Sequence, residues 1–348
     1  MKVYLFAYSK TNFGDDLFIQ ILTNRYKKIE FYIKIEDLER DSKFLENISN
    51  LHVVEIKDEF EVELADYDAI VYIGGSIFME TKNSIKRMDR FKNFMEKCNA
   101  SKIPFFYISS NFGPYTTQEF YNKARETFGL CEDLCFRDRY SKKLFKDMKN
   151  IRYATDAVFS YNLRKTKVLK NSVAISVIDL EIKKLEIHTK KYESFLINNI
   201  KKLIELGKKV YLFSFCEFEG DTRCINKIME KLPEEYKSNI EEVYYTGNIS
   251  EFMEKYQQME YAICTRFHAM ILSILFGHKF ITVSYSDKLK NVILDLKLKN
   301  LFVDIKNLDE NKIYEINEYK KVKKLKTIFS KIKSKKQFEA FDKCQNRR

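Results

Sequence analysis

The sequence is poor in residues that break or cross-link a chain. Three prolines and nine glycines in 348 residues, with a hydrophobic content of 45%, predict a compact globular protein without long disordered arms. Seven cysteines at irregular spacings match neither a disulfide framework nor a paired Cys-x-x-Cys metal site. They are typical of reduced thiols and therefore predict a cytoplasmic protein.

Long apolar runs and clusters of histidine are also missing. No run approaches the ~20 apolar residues that span a bilayer, and the apolar start Met1–Tyr8 is too short for a signal sequence. These absences predict a soluble or peripheral protein. Only four histidines occur, and His52, His188 and His278 have no ligand partners at useful spacing. We therefore expect no metal site and no cofactor.

The net charge of +12 is concentrated near the carboxyl end. Residues 320–348 hold twelve basic residues against Glu339 and Asp342, which leaves residues 1–319 nearly neutral. A nearly neutral body lacks the basic face of a nucleic-acid-binding domain. We therefore expect no nucleic-acid partner.

The segment 305–348 has the pattern of a long polar helix. Within it, Tyr319–Gln337 contains nine lysines and no acid. Apolar residues recur there at intervals of three to four, at Val322, Leu325, Phe329 and Ile332. Such a basic helix with a thin apolar stripe can bind the anionic inner face of a membrane. Alternatively, it is a solvated terminal helix that packs its stripe on the amino-terminal domain.

Buried strands alternate with helix patterns throughout residues 1–304. This alternation is typical of an α/β protein with parallel sheets and crossover helices. The chain is longer than a usual single core, which favours two domains. We place one Rossmann-like, doubly wound domain at 1–160 and a second at 171–304, because the periodicity lapses across Asp156–Lys170.

The most informative stretch is the junction Thr265–His268. It lies between a predicted buried strand, Tyr261–Cys264, and a nearly unbroken apolar helix, Ala269–Phe276. The Thr265 hydroxyl can cap this helix, and first-turn amides beside a guanidinium and an imidazole make a natural anion site. The alternative is that the guanidinium forms an ion pair holding two domains together and that the imidazole is satisfied in the core.

Further polar residues and glycines follow other predicted strands. In chain order they are Asn12, Gly14, Asp15, Gly74, Gly75, Asn111, Arg137 and Asp156, and then Tyr285 and Lys288 after the strand Lys279–Ser284. Open α/β sheets bind ligands at the carboxyl ends of their strands. Gly14 permits close approach of the backbone, whereas Asp15 is either a helix-dipole partner or a group facing the ligand. Arg137 either reaches the same anion or pairs with a neighbouring carboxylate.

These segments also resemble, in order, the motifs of the polysaccharide pyruvyl transferases. The main block is Glu260–Gly277, followed by Ile281–Tyr285 and Lys288. The other similar segments are Asn12–Asp15, Tyr72–Ser76, Asn111–Pro114, Phe136–Ser141 and Ala154–Ala157. The resemblance implies a GT-B-like fold, in which an amino-terminal acceptor domain and a carboxyl-terminal donor domain face each other across a cleft.

The resemblance also implies a reaction. The pyruvyl unit of phosphoenolpyruvate moves onto two hydroxyls of a sugar in a cell-surface polysaccharide or its lipid-linked precursor, giving a ketal and phosphate. Arg266 is expected to clamp the donor, His268 to bind phosphate or supply a proton, and Asp15 or Asp156 to act as the base. The expected substrate contacts are Asn12, Gly14, Gly74, Gly75, Asn111, Arg137, Thr265, Phe267, Tyr285 and Lys288. Two departures from the family pattern, Phe267 in place of an aliphatic residue and Ser76 in place of a third glycine, concern the acceptor more than the donor.

Two other functions are compatible with the sequence. A glycosyltransferase could share the two-domain architecture, because fold does not determine function, and it would bind a nucleotide sugar in its carboxyl-terminal half. A non-catalytic component of a glycan assembly complex would keep its biological role after Arg266 and His268 are both replaced.

Overall fold

The computed structural model describes residues 1–162 and 166–347. It divides into two compact units: a first unit of Met1–Ser9, Asp15–Tyr161 and Phe329–Arg348, and a second unit of Lys10–Gly14 and Asn162–Ile328. The predicted passage between domains includes residues 163–165, which lie outside the described residues. The sequence suggests that the segment 305–348 is a separate tail. In the structure its residues up to Ile328 belong to the second unit, and those from Phe329 onward belong to the first.

The first unit is built on a seven-stranded sheet in the order β3-β2-β1-β4-β5-β6-β7. Its strands are β1 Lys2–Phe6, β2 Glu30–Ile33, β3 Leu51–Val53, β4 Ala69–Ile73, β5 Phe105–Ser110, β6 Asp133–Phe136 and β7 Ile151–Tyr153. All pairs are parallel. Every residue of β4 and β5 is buried, as expected for central strands covered on both faces.

Helices connect these strands. They are α1 Phe13–Arg25, α2 Leu38–Asp41, α3 Ser84–Ala100, α4 Gln118–Phe128 and α5 Arg139–Leu144. Their apolar residues follow the helical period; in α3, for example, Met88, Phe91 and Met95 are buried against the sheet core. The Thr117 hydroxyl caps α4 by accepting a hydrogen bond from the Phe120 amide at 3.2 Å.

The second unit repeats this design with six parallel strands in the order β10-β9-β8-β11-β12-β13. The strands are β8 Ser172–Ser176, β9 Lys209–Ser214, β10 Ile240–Tyr244, β11 Tyr261–Cys264, β12 Lys279–Ser284 and β13 Phe302–Asp304. The helices are α6 Thr189–Glu205, α7 Asp221–Lys231, α8 Glu234–Lys237, α9 Ile249–Gln257, α10 Phe267–Phe276 and α11 Asp287–Asp295. Eight of the ten residues of α10 are buried, which explains its continuous apolar sequence.

In both sheets the strand order reverses beside the first strand. The reversal falls between β1 and β4 in the first unit and between β8 and β11 in the second. Ligands bind outside the carboxyl ends of the strands at such switch points. The loops that follow these four strands therefore hold the expected binding regions of the two units.

The carboxyl-terminal segment differs from the predicted long helix. Helix α12 begins only at Lys324 and ends at Ser334, and α13 spans Glu339–Gln345. Between residues 305 and 323 the chain instead forms short 3-10 turns, because Leu308 and Tyr319 pack into the core of the second unit and fix an irregular path. In the described part of the chain, no helix has both the length and the apolar character that crossing a membrane requires.

Candidate active site

The junction Thr265–His268 lies where the sequence predicts, between β11 and α10. The prediction that Thr265 caps α10 is wrong. Arg266 occupies the N-cap position, and the Thr265 hydroxyl accepts a hydrogen bond from the Tyr192 hydroxyl at 2.9 Å. The Thr265 amide donates to Ser176 Oγ at 2.9 Å, so the junction is tied to the end of β8. Thr265 therefore fixes the buried end of the strand and does not cap the helix.

Arg266 is almost fully buried within the second unit and forms ion pairs there. Its Nε donates to Asp221 Oδ2 at 2.9 Å, and its Nη atoms contact Asp221 and Glu219. Glu219 also pairs with Lys183 at 2.8 Å. Two cations and two carboxylates therefore form one cluster within the second unit, so Arg266 is ion-paired, but this pair does not join two domains as the alternative proposed. That Arg266 clamps a donor stays a prediction.

Burial and neighbouring charges set the ionisation of this cluster. Burial raises the pKa of Asp221 to about 6, with Arg266 acting in the opposite direction. Burial acts in the same sense on Glu219, but there Arg266 and Lys183 prevail and hold the pKa well below its usual range. Tyr285 belongs to the same electrostatic neighbourhood, since burial raises its pKa while Arg266 and Lys183 oppose the change.

His268 lies in the first turn of α10 against the backbone of Gly14. A Cβ atom on Gly14 would stand 1.7 Å from His268 Nδ1, so only glycine can occupy that position without displacing the imidazole. The imidazole also contacts an aromatic ring, since the Phe267 ring lies edge-on to it with 5.2 Å between the ring centroids. Two segments far apart in the sequence, Asn12–Gly14 and Thr265–His268, thus meet in the second unit.

The loop that carries Gly14 is anchored by its neighbours. Phe13 packs on Phe252 with 4.7 Å between ring centroids and on two further aromatic rings, those of Phe215 and Tyr245. The Asn12 side chain accepts a hydrogen bond from the Gly14 amide at 3.1 Å. The asparagine and the phenylalanine of the motif therefore hold the glycine in place beside the imidazole.

A second group of predicted residues gathers within the first unit. Arg137, at the end of β6, donates to Asp156 Oδ2 at 3.0 Å and to Asn111 Oδ1 at 2.7 Å. A Cβ atom on Gly75 would lie 2.4 Å from Arg137 Nη1. The Asn111 amide donates to the Gly75 carbonyl at 2.8 Å. Gly75, Asn111, Arg137 and Asp156 therefore form one cluster at the carboxyl ends of β4, β5 and β6.

Asp156 is the carboxylate that Arg137 pairs with, and it is deeply buried. Burial raises its pKa, while Arg137 acts in the opposite direction. Its second oxygen accepts a hydrogen bond from the Val158 amide at 2.8 Å, which caps the 3-10 turn Ala157–Ser160. Both oxygens are thus engaged in holding the loop and the guanidinium. That Asp156 acts as a base stays a prediction.

The remaining predicted residues lie at the edges of these two clusters. Asp15 is partly exposed in the first turn of α1, in the first unit. Gly74 continues the sheet, donating its amide to the Ile108 carbonyl at 3.2 Å. Lys288 lies in the first turn of α11, with its Nζ 6.0 Å from the centroid of the Tyr285 ring.

The residues missed from the sequence are the acidic partners of Arg266. Glu219 and Asp221 follow β9, and their position after a strand adjacent to β8 is the signal that could have paired them with the arginine. Lys183, in the loop after β8, carries no comparable signal. Among residues 1–162 and 166–347, no three histidine, cysteine, aspartate or glutamate side chains gather closely enough to hold a metal ion.

Solved structures share this architecture. The UDP-GlcNAc 2-epimerase of Methanocaldococcus jannaschii superposes with a TM-score of 0.55 at 9% identity, over 95% of this chain and 98% of that chain. Anabaena HepE, solved in complex with UDP and glucose, gives a TM-score of 0.54 at 9% identity, over 99% of this chain and 97% of that chain. At such identities the likeness shows the fold alone. The protein therefore has two Rossmann-like domains and a GT-B-like fold.

Within that fold class, the sequence defines the family. The family model of the polysaccharide pyruvyl transferases matches residues 12–287. The chain belongs to this family. A curated relative, the amylovoran biosynthesis protein AmsJ of Erwinia amylovora, is 23% identical over 265 residues, or 69% of this chain. The chain spans 62% of the length of that relative.

Proposed function

We propose that the protein transfers the pyruvyl group of phosphoenolpyruvate to two hydroxyls of a sugar in a cell-surface polysaccharide or its lipid-linked precursor. The products are a cyclic pyruvate ketal and phosphate. Membership of the polysaccharide pyruvyl transferase family and the similarity to an amylovoran biosynthesis protein support this proposal.

The observation that carries the proposal is the contact between Gly14 and His268. The imidazole occupies the space that a Cβ atom on Gly14 would fill, two residues from a buried arginine. Preorganised groups of this kind stabilise a transition state without reorganising during the reaction. A histidine that only filled space in a core would not need a glycine from a distant motif beside it.

The donor chemistry fits the charges of the second unit. Phosphoenolpyruvate carries a phosphate and a carboxylate, which bind cationic groups and helix amino termini. Arg266 and Lys183 supply the cations, and Asp221 and Glu219 keep the guanidinium in one orientation. The two carboxylates also balance the buried positive charge before an anion arrives.

In the proposed reaction, one sugar hydroxyl attacks C2 of the enol phosphate. His268 supplies a proton to the methylene carbon, which becomes the methyl group, and a base takes the hydroxyl proton. The second hydroxyl then forms a bond to C2 as the bond between C2 and the phosphate oxygen breaks; its proton returns to His268, and the proton held by the base leaves with the phosphate. We assign the base to Asp15, because this residue is partly exposed and directly follows Gly14, which contacts His268.

The test is to incubate the protein with phosphoenolpyruvate and a panel of saccharides, following phosphate release together with the gain in mass of the sugar. We expect His268→Gln to slow phosphate release by about 10²- to 10⁴-fold, the range for loss of a general acid. His52→Gln is the matched control, because His52 is a surface residue paired with Glu30. Release of a nucleotide from a nucleotide sugar, with none of phosphate from phosphoenolpyruvate, would instead establish a glycosyltransferase.

A further inference from the structure

Helix α12 buries small polar residues and exposes apolar ones, which is the reverse of an ordinary surface helix. Its small polar residues are buried, with Ser330 at 5% and Ser334 at 0% exposure. Its apolar residues face solvent, at Leu325 63%, Ile328 41%, Phe329 62% and Ile332 57%. We call these four side chains the apolar stripe. Surface helices of globular proteins usually bury such a stripe against their own core.

The orientation of α12 is set by the contacts of its buried face and of the residues that follow it. The Thr155 hydroxyl donates to the Ser330 carbonyl at 2.6 Å. After the helix, Gln337 accepts a hydrogen bond from the Ser109 amide at 2.9 Å, and Phe338 and Phe341 are buried in the first unit. Rotation of the stripe toward the protein would break these contacts. The stripe is therefore a stable feature of the surface.

Lysines surround the stripe on both sides. At about 100° of rotation per residue, Lys324 and Lys331 lie on one side of it, and Lys326 and Lys333 lie on the other. No acidic residue occurs from Tyr319 to Gln337. Contiguous apolar surface bordered by one sign of charge marks an interaction site, and here that charge is positive.

We propose that α12 lies in the surface of an anionic membrane, with the apolar stripe inserted below the headgroups and the lysines against the lipid phosphates. A helix with this pattern of a narrow apolar face and lysines on either side is suited to the boundary between headgroups and acyl chains. An RNA or DNA partner would leave the stripe in water. An acidic protein would need both an apolar groove and a negative rim of matching length.

The inference does not rest on the pyruvyl transfer reaction. It gives the chain a means of reaching substrates that are anchored in a membrane, and it would hold for any of the candidate functions. The two alternatives for this segment were binding to a membrane and packing on the amino-terminal domain. The residues after α12 pack on the protein, whereas the apolar stripe of α12 stays exposed and can bind a membrane.

The experiment is flotation of the full chain with vesicles of phosphatidylcholine, with and without phosphatidylglycerol. We expect binding only to the vesicles that contain phosphatidylglycerol, weakening as salt is added. Phe329→Ser combined with Ile332→Ser should lower the affinity by at least about tenfold, since each side chain loses its insertion into the acyl region. Lys324→Glu should weaken binding by about fivefold or more.

Ile187→Ser is the matched control, because Ile187 is the most exposed large apolar residue among those the structure describes and lies outside α12. Its binding to vesicles should equal that of the wild type. The double variant should keep the wild-type melting temperature, since both replaced side chains are exposed. Its turnover of a soluble saccharide should also be unchanged, which separates this test from that of the reaction.

Three results would overturn the proposal. One is failure of the wild type to bind phosphatidylglycerol vesicles, and another is equal binding by the Phe329→Ser/Ile332→Ser variant. The third is a concentration-dependent dimer in sedimentation that the double variant abolishes while vesicle binding persists. That result would assign the stripe to a second copy of the chain.

Discussion

Replacing Gly14 with alanine tests the contact that positions His268. Gly14 lies in the helical first turn of α1, where alanine is normally the better residue by up to about 1 kcal/mol. The structure predicts the opposite sign. The new Cβ atom would lie 1.7 Å from Nδ1, 2.4 Å from Cε1 and 2.6 Å from Cγ of the imidazole.

The magnitude follows from what must move. The imidazole has to leave its position, and overpacking of this kind costs about 1–3 kcal/mol. After subtracting the gain in helix propensity, we expect Gly14→Ala to lower the free energy of unfolding by up to about 2 kcal/mol. The same change should slow phosphate release about as much as loss of the imidazole, because the ring no longer lies where the donor binds.

A double-mutant cycle isolates the contact. In a His268→Ala background the obstruction is gone, so Gly14→Ala should be neutral or stabilising by up to about 1 kcal/mol. Urea denaturation followed by circular dichroism measures all four proteins. Gly129→Ala is the control for replacing glycine, because its Cβ atom would have no neighbour closer than 3.4 Å. An equal effect of Gly14→Ala in both backgrounds would refute the reasoning.

Two further predictions concern stability. Gln337→Leu should lower the free energy of unfolding by about 3 kcal/mol or more, measured in a thermal melt. The reason is that the buried Ser109 amide and three backbone carbonyls lose the hydrogen bonds that Gln337 makes. A loss below about 1 kcal/mol would contradict this. His278 is buried, and burial lowers its pKa from 6.5 to about 4. The unfolded chain therefore binds this proton more tightly, and stability should fall by about 2 kcal/mol as the pH drops from 7 to 5. His278→Gln should remove that part of the pH dependence, so an unchanged difference between melts at the two pH values would show that another group is responsible.

The fold could be predicted from the sequence because buried parallel strands and their helices carry strong patterns. The strands β11 and β12 have the predicted bounds, and all but one of their residues are buried. The edge strands β7 and β13 were missed, since each has only three residues and is partly exposed.

The site was predictable to the level of which loops carry it. The glycines and polar residues that follow β1, β4, β5 and β11 were found because loops after strands have a recognisable composition. Which loops contact each other was not predicted, since residues that are distant in the sequence but close in space leave no periodic signal. The capping role given to Thr265 failed for this reason, as its hydroxyl is taken by Tyr192 on α6.

The outward stripe of α12 shows a related limit. Sequence spacing places Val322, Leu325, Phe329 and Ile332 on one face of a helix, but does not show which way that face points. In the structure Val322 precedes α12 and is buried, whereas the other three face solvent. The direction is set by Ser330, Ser334 and the buried aromatic residues of the following turn. Small polar residues rarely decide the orientation of a helix, so the pattern alone favoured neither alternative.

The central claim is tested most directly by following the carbon atoms of the donor. Isotopically labelled phosphoenolpyruvate, a saccharide acceptor and the protein should yield a sugar whose NMR spectrum contains the labelled methyl group of a ketal, in amounts equal to the phosphate released. We expect this signal with the wild type and its near absence with His268→Gln. A labelled sugar formed at the same rate by both proteins, or phosphate released with no label on the sugar, would contradict it.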